Sequence, residues 1–348
     1  MPPDARSAPL NAAKMTAPAL WGAVPVPWRE PLALLAVAMA VLFAVTLREW
    51  GEMLHQWWDI DTYNHILLVP LIVVWLVWLK ADELAEMAPR ASVWGLGLVA
   101  AALCLWLTGR VTDINLFAQA GAVGALQGAI VAILGVRLSW FLALPLAYLA
   151  LLVPFGDEVI PFLQAITAQI SIALTLFSGV PAQIDGIYID TPAGLFIVAE
   201  ECSGVKFLIA MVTLAVLIAF TRFKSWSRRA MLMLAAVVVP VFANGVRAWG
   251  TIYIAQFAGL EFAAGFDHII YGWVFFAIVV ALVLAGAWRF FESEPEDYGF
   301  TLGEVAEQRW IARLEGRSQS PLAVLGAIAA LAAIAGVAAV AFAPASLS

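Results

Sequence analysis

Three side chains in this sequence form a reactive set: the thiol of Cys202, the guanidinium of Arg247 and the imidazole of His268. Each falls where one of three late apolar runs meets polar sequence. A thiolate attacks a peptide carbonyl, an imidazole takes the thiol proton and returns it to a leaving amine, and a guanidinium holds an oxyanion or a carboxylate. Together they make acyl transfer through a cysteine. Glu200, Glu201, Ser203 and Gly204 flank the cysteine, Asn244 stands one turn before the arginine, and Asp267 precedes the histidine. Asp267 or Asn244 is placed to orient the imidazole. An apolar run starts near Val205, so Cys202 sits at or just before a helix N-terminus. Partial positive charge there, with Lys206 one turn on, favours thiolate, and the two glutamates act against it.

Taken singly, each of these residues also has a structural reading. Cys104, inside an apolar run, is a small apolar filler. An arginine at the end of an apolar helix costs about 2–3 kcal/mol unless it snorkels or is paired, so Arg247 is an anchor or a site residue. A lone interfacial histidine is often structural. Their coincidence beside a Glu-Glu-Cys-Ser-Gly turn favours catalysis, but residue types alone leave both readings open.

The elements that must position these groups are set by composition. The chain has 348 residues, 64% hydrophobic and 12% charged, where a soluble domain is about half apolar and a quarter charged. The expected class is an all-α polytopic membrane protein with about eight to nine transmembrane helices. Apolar runs lie at about 32–47, 66–79, 94–109, 114–135, 140–154, 205–221, 230–250, 269–288 and 321–342. Segment 161–178 carries Gln164, Thr167, Gln169 and Ser171 and is expected to be interfacial or re-entrant rather than spanning. A net charge of −7 argues against nucleic acid. No metal site or cofactor is expected, and Cys104 and Cys202 are not placed to pair.

Basic residues orient the set. With the N-terminus inside, fourteen of the 18 Lys and Arg fall on the cytoplasmic side and only Arg48, Arg110, Lys206 and Arg247 on the outer side. Cys202, Arg247 and His268 then share the outer face. Ahead of the cysteine, Ile184–Asp190 and Leu195–Val198 are β-rich runs separated by Thr191-Pro192-Ala193-Gly194, which predicts a small outer β-hairpin. The expected division is a disordered cytoplasmic tail (1–31), a catalytic membrane domain (32–290), a solvated cytoplasmic linker (291–320) and an accessory C-terminal transmembrane helix with a short tail (321–348).

At these residues the chain resembles the exosortase/archaeosortase family. The segment Val198-Ala199-Glu200-Glu201-Cys202-Ser203-Gly204-Val205-Lys206, then Asn244-Gly245-Val246-Arg247, then His268 followed by Gly272, are similar to its three signature blocks. Tyr63-Asn64-His65 is similar to its early outer-loop motif, with Ile66 in place of the usual Gly. Glu201 stands where Ala is common and Lys206 where Arg is common. The resemblance covers roughly residues 50–290. It implies a multi-pass enzyme of the bacterial or archaeal cytoplasmic (inner) membrane, its site facing the periplasm or exterior. Such an enzyme is a cysteine peptidase and transpeptidase. Its partners are exported proteins that end in a PEP-CTERM-like motif, a membrane helix and a basic tail, which it transfers to a surface acceptor. It also implies Cys202 as nucleophile, Arg247 as oxyanion or substrate stabiliser and His268 as general acid/base, supported by Glu200, Glu201, Ser203, Gly204, Asn244, Asp267 and His65. Two alternatives fit less well. Glu200-Glu201 is similar to the start of the Glu-Glu-x-x-x-Arg motif of CAAX-type intramembrane proteases, but Val205 occupies the sixth position. A transporter or polysaccharide-export subunit calls for polar groups near mid-span, whereas here they gather at one face.

Overall fold

The computed structural model describes residues 24–266, 272–315 and 319–342. Helix α1 (Val26–Val45) begins ahead of the 32–47 apolar run, with Pro25 at its N-cap. Helix α2 (Leu47–Asp59) then bends by 109° into the 3-10 turn Asn64–Leu68 and α3 (Val69–Leu79). After the short α4 (Ala81–Ala85) come α5 (Val93–Thr112) and α6 (Asn115–Leu134), packed as a close hairpin. A Cβ on Gly95, Gly109 or Gly121 would stand 2.1–2.3 Å from the backbone of the facing helix. Glycine there lets the two backbones touch, the usual device where lipid supplies no hydrophobic drive.

The next run, 140–154, is broken. It forms α7 (Val136–Phe141) and α8 (Ala143–Leu149), extended by a 3-10 turn to Leu152. Pro145 has no N–H to return to Phe141 four residues earlier, so the helix cannot run through. Helix α9 (Ile160–Phe177) follows, then strands β1 (Gln183–Asp185), β2 (Tyr188–Thr191) and β3 (Gly194–Ile197). The sheet is an antiparallel meander in the order β1-β2-β3. The expected hairpin is β2–β3, turning at Thr191–Gly194, and β1 adds a third strand because Gly186, at φ 58°, turns the Ile184–Asp190 run back on itself. Helices α10 (Val205–Arg222), α11 (Trp226–Ala258), α12 (Leu260–Phe266), α13 (Gly272–Trp288), α14 (Leu302–Glu307), α15 (Arg309–Glu315) and α16 (Pro321–Ala341) complete the order.

Among the described residues seven helices are long and apolar enough to cross a membrane, or eight if the bent 47–79 pair counts as one. This is an all-α polytopic membrane protein with a small sheet. Its contacts define two ends. At one end Lys80 lies 5.3 Å from the rings of Phe141 and Tyr298, Tyr298 donates to Leu76 O, and Arg137 pairs with Glu315. At the other, Arg110 pairs with Glu49, Trp57 donates to Leu152 O, and Tyr63 donates to Asp157. The broken 136–152 segment therefore runs from end to end. Helix α9 does not, although its length and apolarity would suffice. Gly156, just before it, lies against Val205 and Ile209 at the start of α10, and Ser178, just after it, accepts from Trp249. Its start thus meets the first turns of α10 and its end meets Trp249 of α11, so α9 lies across one end of the bundle.

The 291–320 segment is not merely a solvated linker, which corrects that expectation. Tyr298, Val305 and Ile311 are buried, and Phe300 stacks on Trp140 at 5.1 Å. Apolar groups spaced along 298–311 seat it on α7 and α3. Helix α16 likewise belongs to the main core, with Val324, Ile328 and Ala332 buried in the same cluster as α1, α5 and α6.

Candidate active site at the sheet-bearing end

The chain enters this site from β3. Val198 donates to Ile187 O, Gln164 of α9 donates to Val198 O at 2.6 Å, and the backbone then makes one 3-10 turn, Glu200–Ser203. Cys202 N donates to Ala199 O within that turn. Gly204 follows in the left-handed region, at φ 79°, and caps α10. A Cβ there would lie 2.6 Å from Asn244 Cγ, so glycine is needed both for the conformation and for the close approach. Cys202 is half-buried beside an apolar cluster of Ala168, Ile189, Val198 and Ile252. Ser203 is buried, with its Oγ accepting from Val205 N at 3.4 Å, and Glu200 is exposed.

Helix α11 supplies the second wall. Asn244 is 3% exposed, and its Nδ2 donates both to Cys202 O at 2.7 Å and to Thr167 Oγ1 at 3.0 Å. One amide thus ties the cysteine turn, α9 and α11 together. Its Oδ1 is buried with no partner among the described residues. Gly245 lets Ile170 of α9 close on α11, where a Cβ would stand 2.5 Å from the isoleucine. Arg247, three residues on and thus on the same face, is 7% exposed, with its Cζ 5.8 Å from the Phe207 ring centroid. A cation over an aromatic face is attracted to it, which holds the guanidinium against the first turn of α10. Asn244 and Arg247 line a small cleft, about 210 Å³ of empty space, closed by Phe207, Phe275, Phe276 and Val279.

Of the sequence candidates, Cys202, Ser203, Gly204, Asn244 and Arg247 come together here, with Glu200 and the backbone of Glu201 in the same turn. His268 and Asp267 lie outside the described residues, between α12 and α13. His65 does not join the cluster. Its Nδ1 lies 3.1 Å from Thr62 O and its Nε2 is buried with no partner among the described residues. The neighbouring Tyr63 instead donates to Asp157 at 2.7 Å, which ties the 60–65 corner to Gly156 and so to the start of α10.

Sequence reasoning missed Gln164 and Thr167 as site supports. A signal existed: Gln164, Thr167, Ser171, Thr175 and Ser178 recur at spacings of three and four, one face of a helix. In the structure that face meets Val198, Asn244, Gly245 and Trp249. Among the described residues no group of acidic, His and Cys side chains is arranged to hold a metal ion.

Comparison with known proteins places the chain in a family. The model of the transmembrane exosortases matches residues 57–285, from the end of α2 to α13, and so includes the cysteine turn, Asn244 and Arg247. No curated protein and no solved structure gives a match. The matched stretch spans more than half of the chain, and this protein belongs to the transmembrane exosortase family.

Proposed function

We propose that the protein is a cysteine peptidase and transpeptidase that cuts C-terminal sorting signals of exported proteins, with Cys202 as nucleophile, Arg247 as oxyanion or substrate stabiliser and His268 as acid/base. The observation that carries this reading is the Asn244 amide, which clamps the carbonyl of Cys202 to the helix face that bears Arg247. A nucleophile must be held in fixed relation to the charge that stabilises its transition state, and a buried, doubly engaged amide does so at low reorganisation cost.

The Cys202 proton passes to His268, and the sulfur attacks the scissile carbonyl. The oxygen takes the negative charge beside the Arg247 guanidinium. On collapse the C–N bond breaks, the imidazolium gives its proton to the leaving amine, and a thioester remains on Cys202. A nucleophile from the surface acceptor, or water, then attacks the thioester and gives its proton to His268; the C–S bond breaks, and the imidazolium returns that proton to the Cys202 thiolate.

The site faces outward in this reading. Of the described Lys and Arg, only Arg48, Arg110, Lys206 and Arg247 belong to the Cys202 end, and the other eleven belong to the opposite end. That is the asymmetry of a cytoplasmic face against an outer one. Helix α11, at 33 residues, reaches about 50 Å, well beyond a hydrocarbon core of about 30 Å. Measured from Trp226, the far boundary of that core falls near Arg247, the depth at which a helix-anchored substrate leaves the bilayer. The domain reading is a catalytic body over 32–290 with the 291–342 region as a packed addition.

The test is substrate processing in cells with a set of four variants. Cys202→Ala and Cys202→Ser abolish it, Cys104→Ala leaves it intact, and Arg247→Lys is severely impaired because an ammonium lacks the planar multi-donor geometry. Full processing by Cys202→Ser would refute the thiol as nucleophile.

A further inference from the structure

We infer that the free edge of β3 is a peptide-binding strand, which takes the extended segment on the acyl side of the scissile bond and leads it to Cys202. This inference rests on the cysteine reading above and adds to it a place and a mode of substrate recognition. The register supports it. Val198 N donates to Ile187 O, and the pairs Ile189↔Phe196 and Thr191↔Gly194 follow at two-residue steps. In an antiparallel ladder alternate pairs exchange hydrogen bonds, so the N–H and C=O groups of Leu195 and Ile197 point away from β2. Among the described residues β2 is the one strand paired with β3. Four backbone groups at strand spacing therefore point away from β2 with no strand partner among the described residues, on the strand that runs directly into the Cys202 turn.

The surroundings fit a peptide. The same face that carries Leu195 and Ile197, which are 56% and 51% exposed, also carries Tyr188 opposite Ile197. The opposite face, through Ile189 and Phe196, is packed on Ile252 of α11, so the sheet is held firmly from behind. Gln164 and Asn244 pin the Val198 and Cys202 carbonyls, so the path from strand edge to thiol is fixed at both points. Open strand edges are used by proteins to bind extended peptides through main-chain hydrogen bonds, with alternate side chains read by neighbouring pockets. The acyl side is the half that stays on the enzyme as a thioester after the amine departs. Edge pairing would keep it in place for the second attack.

The probe is acetyl-tetra-alanyl chloromethyl ketone, whose chloride the Cys202 thiolate displaces to leave a thioether. Iodoacetamide, whose iodide the thiolate displaces in the same way, reports the thiol without a peptide. Both are applied to the full chain in detergent in a Cys104→Ala background, with modification followed by mass spectrometry. Leu195→Pro and Ile197→Pro each remove an outward N–H without breaking the β2 ladder. They are expected to slow the tetrapeptide at least about tenfold and to leave iodoacetamide within about twofold. In the unsubstituted protein, N-methylation of successive probe amides should slow the reaction at alternate positions only. Equal tetrapeptide rates in the proline variants, or equal effects of all N-methyl positions, would overturn the edge assignment. The N-methyl series decides the matter if a proline variant fails to fold. Processing that survives Cys202→Ala would instead sink the catalytic reading, whatever the alkylation rates.

Discussion

Asn244 is the residue on which the site's geometry turns. Its side chain is small, buried and doubly engaged, and it works through the cysteine turn rather than on substrate. Asn244→Ala removes the Nδ2–H that donates to Cys202 O, a loss of about 1–3 kcal/mol for a buried hydrogen bond. Processing should fall about 10- to 100-fold, while Thr167→Val, which removes one acceptor and keeps the Cys202 bond, should cost less. Measured kcat should drop in Asn244→Ala, and by more than in Thr167→Val. An unchanged kcat would show that the clamp is not used in turnover. Gly204→Ala meets both a left-handed φ and the Asn244 side chain, so it should impair folding and activity together. From sequence, Cys202, Asn244 and Arg247 are legible because they punctuate apolar runs. The Asn244 partner is not. Thr167 lies 77 residues upstream on another helix, and no local pattern links the two.

Helices and strands were legible to the extent that one local rule governs them. The α5–α6 pair is plain in apolar length, but the role of Gly95, Gly109 and Gly121 as backbone contacts needs the partner helix. Gly121→Val forces a Cβ to within 2.3 Å of Trp106 N, so overpacking should destabilise by about 1–3 kcal/mol, read as a lowered unfolding midpoint in detergent. Segment 161–178 was legible as too polar for an ordinary span, and the face that carries Gln164, Thr167, Ser171 and Ser178 is what meets Val198 and α11. The 291–320 stretch misled because its charges suggested solvent, while Tyr298, Val305 and Ile311 at wide spacing carry the packing. Tyr298→Phe loses the bond to Leu76 O and should cost about 1 kcal/mol. In the same region the backbone N–H groups of Ser225 and Lys224, with Arg228 adding, hold the Glu292 carboxyl below the usual carboxylate range. A depressed value means that this loop contact is complete at neutral pH and is lost as pH falls through that value. Glu292→Gln should reproduce the acid effect, seen as faster amide exchange at 224–225 once intrinsic rates are corrected.

The molecule as a whole is two-ended: a basic end, where the 291–315 segment packs, and an end with the sheet, α9 and the cysteine turn. The family match begins at residue 57 and ends at 285, yet α1 and α16 share one core with α5 and α6. Among the described residues these helices pack on the bundle and not on the cysteine turn, so their removal should reduce stability before it alters specificity. Orientation is tested by single cysteines in a chain stripped of Cys104 and Cys202. Gln183→Cys should react with a membrane-impermeant maleimide in intact cells, and Ser227→Cys should react only after lysis. The reverse pattern would place the site on the cytoplasmic side. The central claim is that Cys202 carries the acyl group, and the most direct measurement is to trap it. Purified enzyme mixed with substrate and quenched in acid should yield a Cys202 peptide bearing the substrate's N-terminal portion through a hydroxylamine-labile thioester, absent from Cys202→Ala. Turnover with no such adduct at any quench time, and processing that persists in Cys202→Ala, would contradict it.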